Sequence, residues 1–96
     1  MKSNFVFVVE KIASTENEVV VAGRIKKGEL VKGDVLQLVN RCKQVWSVTC
    51  ERLERECHEI VRARESQSVT IWLSGVEKQN LEVGMYLTTP GYMVRF

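Results

Sequence analysis

The chain reads as a small all-β domain, an antiparallel barrel of short strands. Two observations predict this. The stretch Val19 to Val39 reads strand, turn, strand, with β-branched residues and leucine between Gly23, Gly28 and Gly33. Downstream, Trp46, Val48 and Cys50 alternate with Ser47, Thr49 and Glu51, and Val69, Ile71 and Leu73 alternate with Thr70 and Trp72. Alternation with a period of two marks half-buried strands. Six to eight such segments with turn signals between them indicate a small barrel.

The elements follow in order. Phe5 to Ile12 is the first strand, with Phe5, Phe7 and Val9 on one face and Val6 and Val8 on the other. Ala13 to Asn17 is a polar turn. Glu18 to Lys27 is the second strand, and the glycine within it, Gly23, marks a bulge or a close backbone approach. Gly28 supplies the left-handed backbone of a reversal, Leu30 and Val31 follow, and Lys32-Gly33-Asp34 turns again. Val35 to Val39 is the third strand, Asn40 to Lys43 a basic turn, and Gln44 to Leu53 the fourth strand.

Residues 51–65 support two readings. Leu53, Cys57, Ile60 and Val61 suit one face of an amphipathic helix. The alternative is an irregular loop followed by a short strand from His58 to Arg62. Beyond them, Ser66-Gln67 is a turn and Ser68 to Leu73 a strand. Gly75 to Leu81 is a loop with room for one helical turn, and Val83-Gly84 turns into a strand from Met85 to Thr88. Pro90-Gly91 ends it, and Tyr92 to Phe96 is a candidate edge strand.

At 96 residues the chain fits one domain, residues 1–96. That size buries roughly 65% of its unfolded surface, enough for a core without disulfides or metal. The 45% apolar and 27% charged content is ordinary for a globular domain. No apolar run approaches the ~20 residues of a membrane-spanning helix. No secretory signal pattern is present, so the expected location is cytoplasmic, with no membrane partner. The net charge of +2 is uneven. Residues 1–48 hold eight Lys/Arg against five acids, and residues 49–96 hold six against seven. The surplus lies at Arg24, Lys26, Lys27 and Lys32, with Arg41 and Lys43 nearby in sequence.

The chemistry-bearing residues are few. Cys42, Cys50, Cys57 and His58 have the ligand types of a zinc site, but no C-x₂-C pair is present. Buried or half-exposed reduced thiols account for the cysteines more simply. Cys57 and His58 are adjacent, and neighbouring residues on a strand face opposite ways, which excludes a nucleophile–base pair there. No G-x-x-x-x-G-K-[ST] loop occurs. The expectation is therefore no metal, no cofactor, no catalytic residues and no GTPase activity.

Within Val20 to Asp34 stands A-G-R-I-x-x-G-x-L-x-x-G-D, followed later by V-T-I-W-L-S-G-V from Val69 and L-E-V-G-M-Y-L-T-T-P-G up to Gly91. These runs, with Phe5 to Ile12 ahead of them, resemble domain 2 of the elongation factor Tu family of translational GTPases. The resemblance spans roughly residues 5–91 and rests on the order of Gly23, Gly28, Gly33, Gly75 and Gly84. It implies an all-β, small antiparallel β-barrel of the translation-factor domain 2 type. It also favours the loop-and-strand reading of residues 51–65.

In that family domain 2 is a binding domain. It touches the acceptor end of aminoacyl-tRNA in the factors that carry it, and more widely contacts the small subunit's RNA. By position, Glu10 matches an acid beside the tRNA end. Lys11 replaces a second acid, Ala13 replaces an aromatic of the aminoacyl pocket, and Glu54 aligns with an acid near the terminal adenosine. Ser66 stands where the family has a turn glycine.

The resulting expectation is a non-catalytic binding module. Its partner is ribosomal RNA, tRNA or a translation-associated protein. Arg24, Lys26, Lys27 and Lys32 are the candidate phosphate contacts, with Glu10, Lys11 and Trp72 as further candidates. Against this, the simpler reading of the same lysines is as solvated turn residues that discourage edge pairing. Trp72 is either an exposed stacking platform or core, and Trp46 reads as core. The alternative function is a protein–protein adaptor or self-associating barrel unrelated to translation, forming a homo-oligomer through the Tyr92 to Phe96 edge or a Trp72 patch.

Overall fold

Residues 4–95 are described in a computed structural model of the chain. The strands are β1 (Val6–Ile12), β2 (Val19–Lys27), β3 (Glu29–Val31), β4 (Val35–Val39), β5 (Val45–Arg55), β6 (His58–Ile60), β7 (Arg62–Arg64), β8 (Ser68–Ser74) and β9 (Tyr86–Thr88). A single 3₁₀ turn, Lys78–Asn80, lies between β8 and β9. The main sheet runs β4-β9-β1-β2-β8-β5, and β4 also pairs with β5, which closes six antiparallel strands into a barrel. β6 extends the far end of β5, and β3 pairs with β7 as a separate ribbon. Among the described residues no helix is long and apolar enough to cross a membrane.

The inward faces are those the alternation predicts. Phe7, Val9, Val21, Ile25, Leu38, Val48, Cys50, Leu53, Ile71 and Leu87 form one core, to which the ribbon adds Leu30 and Ala63. Phe5 and Phe7 stack with ring centroids 6.5 Å apart. Trp46 is half-buried and packs against this core rather than within it.

Gly23 marks a close approach. A Cβ there would lie 2.0 Å from the carbonyl oxygen of Val8. Beside it the β1–β2 register slips, with Val9 opposite Gly23 and Lys11 opposite Ala22, so Glu10 is the extra residue of a bulge. At Gly28 (φ 79°) a Cβ would stand 2.4 Å from the Asn4 carbonyl oxygen, so the reversal after β2 needs glycine twice over. The Lys32–Asp34 turn is tied by Asp34, whose Oδ2 accepts from the Val31 amide at 2.9 Å.

Three sequence expectations need correction. Residues 51–55 are not an irregular loop. β5 continues to Arg55 because its pairing with β8 reaches Glu54 and Leu53 is a core residue. It then reverses through Glu56 and Cys57, both at positive φ (53° and 66°), into β6. No helix forms in this stretch. The charged residues that suited a helix instead cover the solvated face of a hairpin.

Leu30 and Val31 are not a simple connection but the centre of β3, because Leu30 pairs with Ala63 and both are buried. Tyr92 to Arg95 form no strand; Phe96 lies outside the described residues. The Tyr92 amide donates to Thr89 O at 3.1 Å, and Gln37 Nε2 donates to Tyr92 O at 2.6 Å. The chain turns at Thr89–Tyr92 and continues without regular structure to Arg95, so the edge proposed for self-association is absent from the described residues.

Ser66 occupies left-handed backbone at φ 74°, which costs a non-glycine residue about 1–2 kcal/mol. Ser66→Gly removes that cost and adds unfolded-state entropy. The expected net gain is about 0.5–1 kcal/mol, read as a higher urea midpoint at unchanged m-value.

Candidate binding groove

The cations singled out in the sequence divide into three groups. Arg24, on β2, lies across from Val8 on β1 and Ser68 on β8. Lys26 and Lys27 end the same strand, with Lys27 opposite Val6. All three are exposed and have no ion-pair partner among the described residues. The β1–β2 register also slips here, with Ile25 opposite Phe7 and Lys27 opposite Val6, so Lys26 is the extra residue of a second bulge.

Lys32 does not join them. It turns toward β6, where its Nζ lies 3.6 Å from Glu59 Oε2. Arg41 and Lys43 are at the opposite end of β4 from Lys32, and Arg41 lies beside Gly84.

Glu10 and Lys11 do meet Glu54. A groove of about 230 Å³ opens on the outer face of β1, β2, β8 and β5, with Glu10 and Lys11 on one wall and Glu54 and Glu56 on the other. The sheet order puts β2 and β8 between those walls. Three strand spacings, about 14 Å along the sheet, separate β1 from β5. The floor is Ala22, Gly23, Ser68 and Thr70, and these small side chains are why the space is open. The β1 bulge matters here because it breaks the alternation of β1 at Glu10.

Three carboxylates and one ammonium line the groove. It therefore suits hydrogen-bond donors such as hydroxyl and amino groups better than phosphate. Phosphate has its favourable surface immediately alongside, since Ser68 of the floor is the cross-strand neighbour of Arg24.

Trp72 lies on the outer face but is not a bare platform. Arg52, its partner across β5–β8, places its guanidinium 4.7 Å from the centre of the ring. Such cation–π stacking holds both groups at the surface. Arg52 Nη2 also reaches Glu54 Oε2 at 2.5 Å. Arg52 thus anchors one wall of the groove, a role not read in the sequence. Its only signal there is the position opposite an outward tryptophan, visible once the register is known.

The thiols and His58 do not converge. Cys50 is buried, whereas Cys42 and Cys57 are exposed. Burial pushes the Cys50 thiol up to about 11, with Asp34 adding to the effect. Among the described residues no group of His, Cys, Asp and Glu is placed to hold a metal ion.

No protein-family model matches the sequence. Among solved structures, the chain superposes on translation elongation factor SelB from Methanococcus maripaludis, in its apo form, with a TM-score of 0.83. The match covers 94% of this chain at 21% identity. The fold is that of a translation-factor β-barrel. This chain spans 19% of the length of that factor. Within this barrel, Glu10 and Lys11 of β1 and Glu54 of β5, more than forty residues apart in sequence, line one groove. Ala13, by contrast, follows β1 and does not line it.

Proposed function

We propose that this translation-factor barrel is a non-catalytic RNA-binding module of the translation apparatus, working in the cytoplasm without GTPase activity of its own. The observation that carries the reading is the juxtaposition along β2 of cations without ion-pair partners among the described residues and a donor-seeking groove. Arg24, Lys26 and Lys27 take backbone phosphates. Glu10, Glu54 and Glu56 accept from ribose hydroxyls or base amino groups of a single strand lying across the floor. Phosphate contacts supply affinity and salt dependence, and groove contacts supply discrimination. SelB, a solved structure with this barrel, is a translation elongation factor. That likeness supports ribosomal RNA or tRNA as the RNA class.

Charge reversal tests the reading. The Lys26→Glu/Lys27→Glu variant keeps the core intact, because both side chains are exposed. It is expected to weaken binding to host ribosomal RNA by about tenfold or more at low salt. The dependence of log K on log salt should also become shallower, by about 0.7 per lost phosphate contact. Unchanged affinity and slope, measured by fluorescence anisotropy, would remove β2 from the interface.

A further inference from the structure

Glu59 lies between two cations and divides its carboxylate between them. Its Oε1 is 3.3 Å from Arg52 Nε and its Oε2 is 3.6 Å from Lys32 Nζ. The Arg52 contact is an ion pair without hydrogen-bond alignment. Arg52 Nε is a buried donor with no hydrogen-bond partner among the described residues. A buried N–H left without an acceptor marks a site whose ligand geometry is unmet.

Arg52 is held independently of Glu59. Its other nitrogen is bonded to Glu54 at 2.5 Å, and its plane rests 4.7 Å from the centre of the Trp72 ring. The backbone of Lys32 is fixed by its amide, which donates to Val61 O at 2.9 Å, while its side chain is half-exposed. Arg52 therefore keeps its position when the carboxylate leaves, and Lys32 stays tethered beside it through its backbone.

We propose that Lys32, Arg52 and the Arg52 Nε–H form a latent phosphate site that Glu59 occupies as an internal anion. This rests on the RNA reading for its biological ligand but not for its chemistry, which is that of any phosphate. A phosphate has more acceptor oxygens than a carboxylate and a tetrahedral shape. It can satisfy Nε while bridging to Lys32, which the planar carboxylate does not do here. Glu59 is half-exposed and its ion pairs lie at the surface, so it can be displaced at little cost. An RNA strand engaged on β2 and extending across β8 and β5 would meet this site second. Glu59 then acts as a competitor that lowers affinity for short or misplaced strands.

The test uses Glu59→Gln, with Glu59→Ser as a second neutral variant and Glu59→Gln/Arg52→Gln as the control. Inorganic phosphate is titrated while the Arg52 Nε–H and the Lys32 amide are followed by NMR. Both signals should shift in the two neutral variants and, in the wild type, only at higher phosphate concentration; in the control, which lacks the Arg52 Nε–H, the Lys32 amide should stay unshifted. Single-stranded ribosomal RNA should bind Glu59→Gln about fivefold more tightly than wild type at low salt. Its salt slope should be steeper by about 0.7 for the added contact. If phosphate moves Arg52 Nε–H in Glu59→Gln but no form binds RNA, the anion site stands and the RNA reading fails. If RNA binds wild type and both neutral variants alike, and phosphate leaves Arg52 and Lys32 unmoved, the latent site is overturned while β2 binding survives.

Discussion

Gly23→Ala is expected to destabilise the protein by about 3 kcal/mol or more, the upper part of the range for overpacking a tight site. The clash is with backbone, not with an adaptable side chain. The new Cβ would stand 2.0 Å from Val8 O and 3.0 Å from Phe7 Cζ. Relief requires β1 and β2 to part beside the Glu10 bulge, where Val8 and Val9 pair with Arg24 and Gly23. Truncating Phe7 in the same chain should not rescue Gly23→Ala, because the carbonyl remains in place. Urea denaturation followed by tryptophan fluorescence measures the loss. A stability within 1 kcal/mol of wild type would mean that β1 and β2 are not packed as described. Since Gly23 also forms part of the groove floor, a mildly destabilised variant that still folds should bind RNA more weakly.

Phe7→Ala is expected to cost about 4 kcal/mol, the usual range for an aromatic side chain removed from a core. Phe7 is fully buried and stacks with Phe5. Its strand pairs on both sides, with β2 at Ile25 and with β9 at Leu87, so neither neighbour can collapse into the space without breaking a ladder. For a domain of this size, whose total stability is about 5–15 kcal/mol, that loss removes a large share. The midpoint of urea unfolding should fall accordingly, with the m-value unchanged. A loss below about 1.5 kcal/mol would show that the barrel interior is loosely filled there.

The barrel was legible because its signals are local. Alternation in β5 and β8, the β-branched run of β2 and the glycines at tight reversals each report on a few neighbouring residues. The hairpin of β5 and β6 was ambiguous for the opposite reason. Its Glu and Arg residues are good helix formers, and only pairing with β8, distant in sequence, holds them extended. The two-residue turn Glu56-Cys57 added to the difficulty, since its left-handed backbone usually announces itself with asparagine or glycine. β3 escaped notice because three residues carry no periodicity, and its partner β7 arrives some thirty residues later.

The site shows the same division. Glu10, Lys11 and Glu54 were named by position along the chain, but their meeting depends on the order of β1, β2, β8 and β5. Lys32 was grouped with Arg24, Lys26 and Lys27 by closeness in sequence. The turn before β4 points it to Glu59 instead. In the sequence Trp72 suits either an exposed platform or core, and it lies half-buried on the outer face. Its cover, Arg52, belongs to a strand whose register no local pattern discloses.

The claim that most needs testing is that this barrel binds RNA of the translation apparatus. The most direct measurement is co-sedimentation of the purified chain with ribosomes from its host, at about 50 mM and about 200 mM salt, with and without ribonuclease. The predicted result is association at low salt that falls steeply at the higher concentration, by about 10-fold or more for several phosphate contacts, and disappears after ribonuclease treatment. Absence from the ribosomal pellet at low salt, or association indifferent to both salt and ribonuclease, would contradict it and favour a protein-binding adaptor.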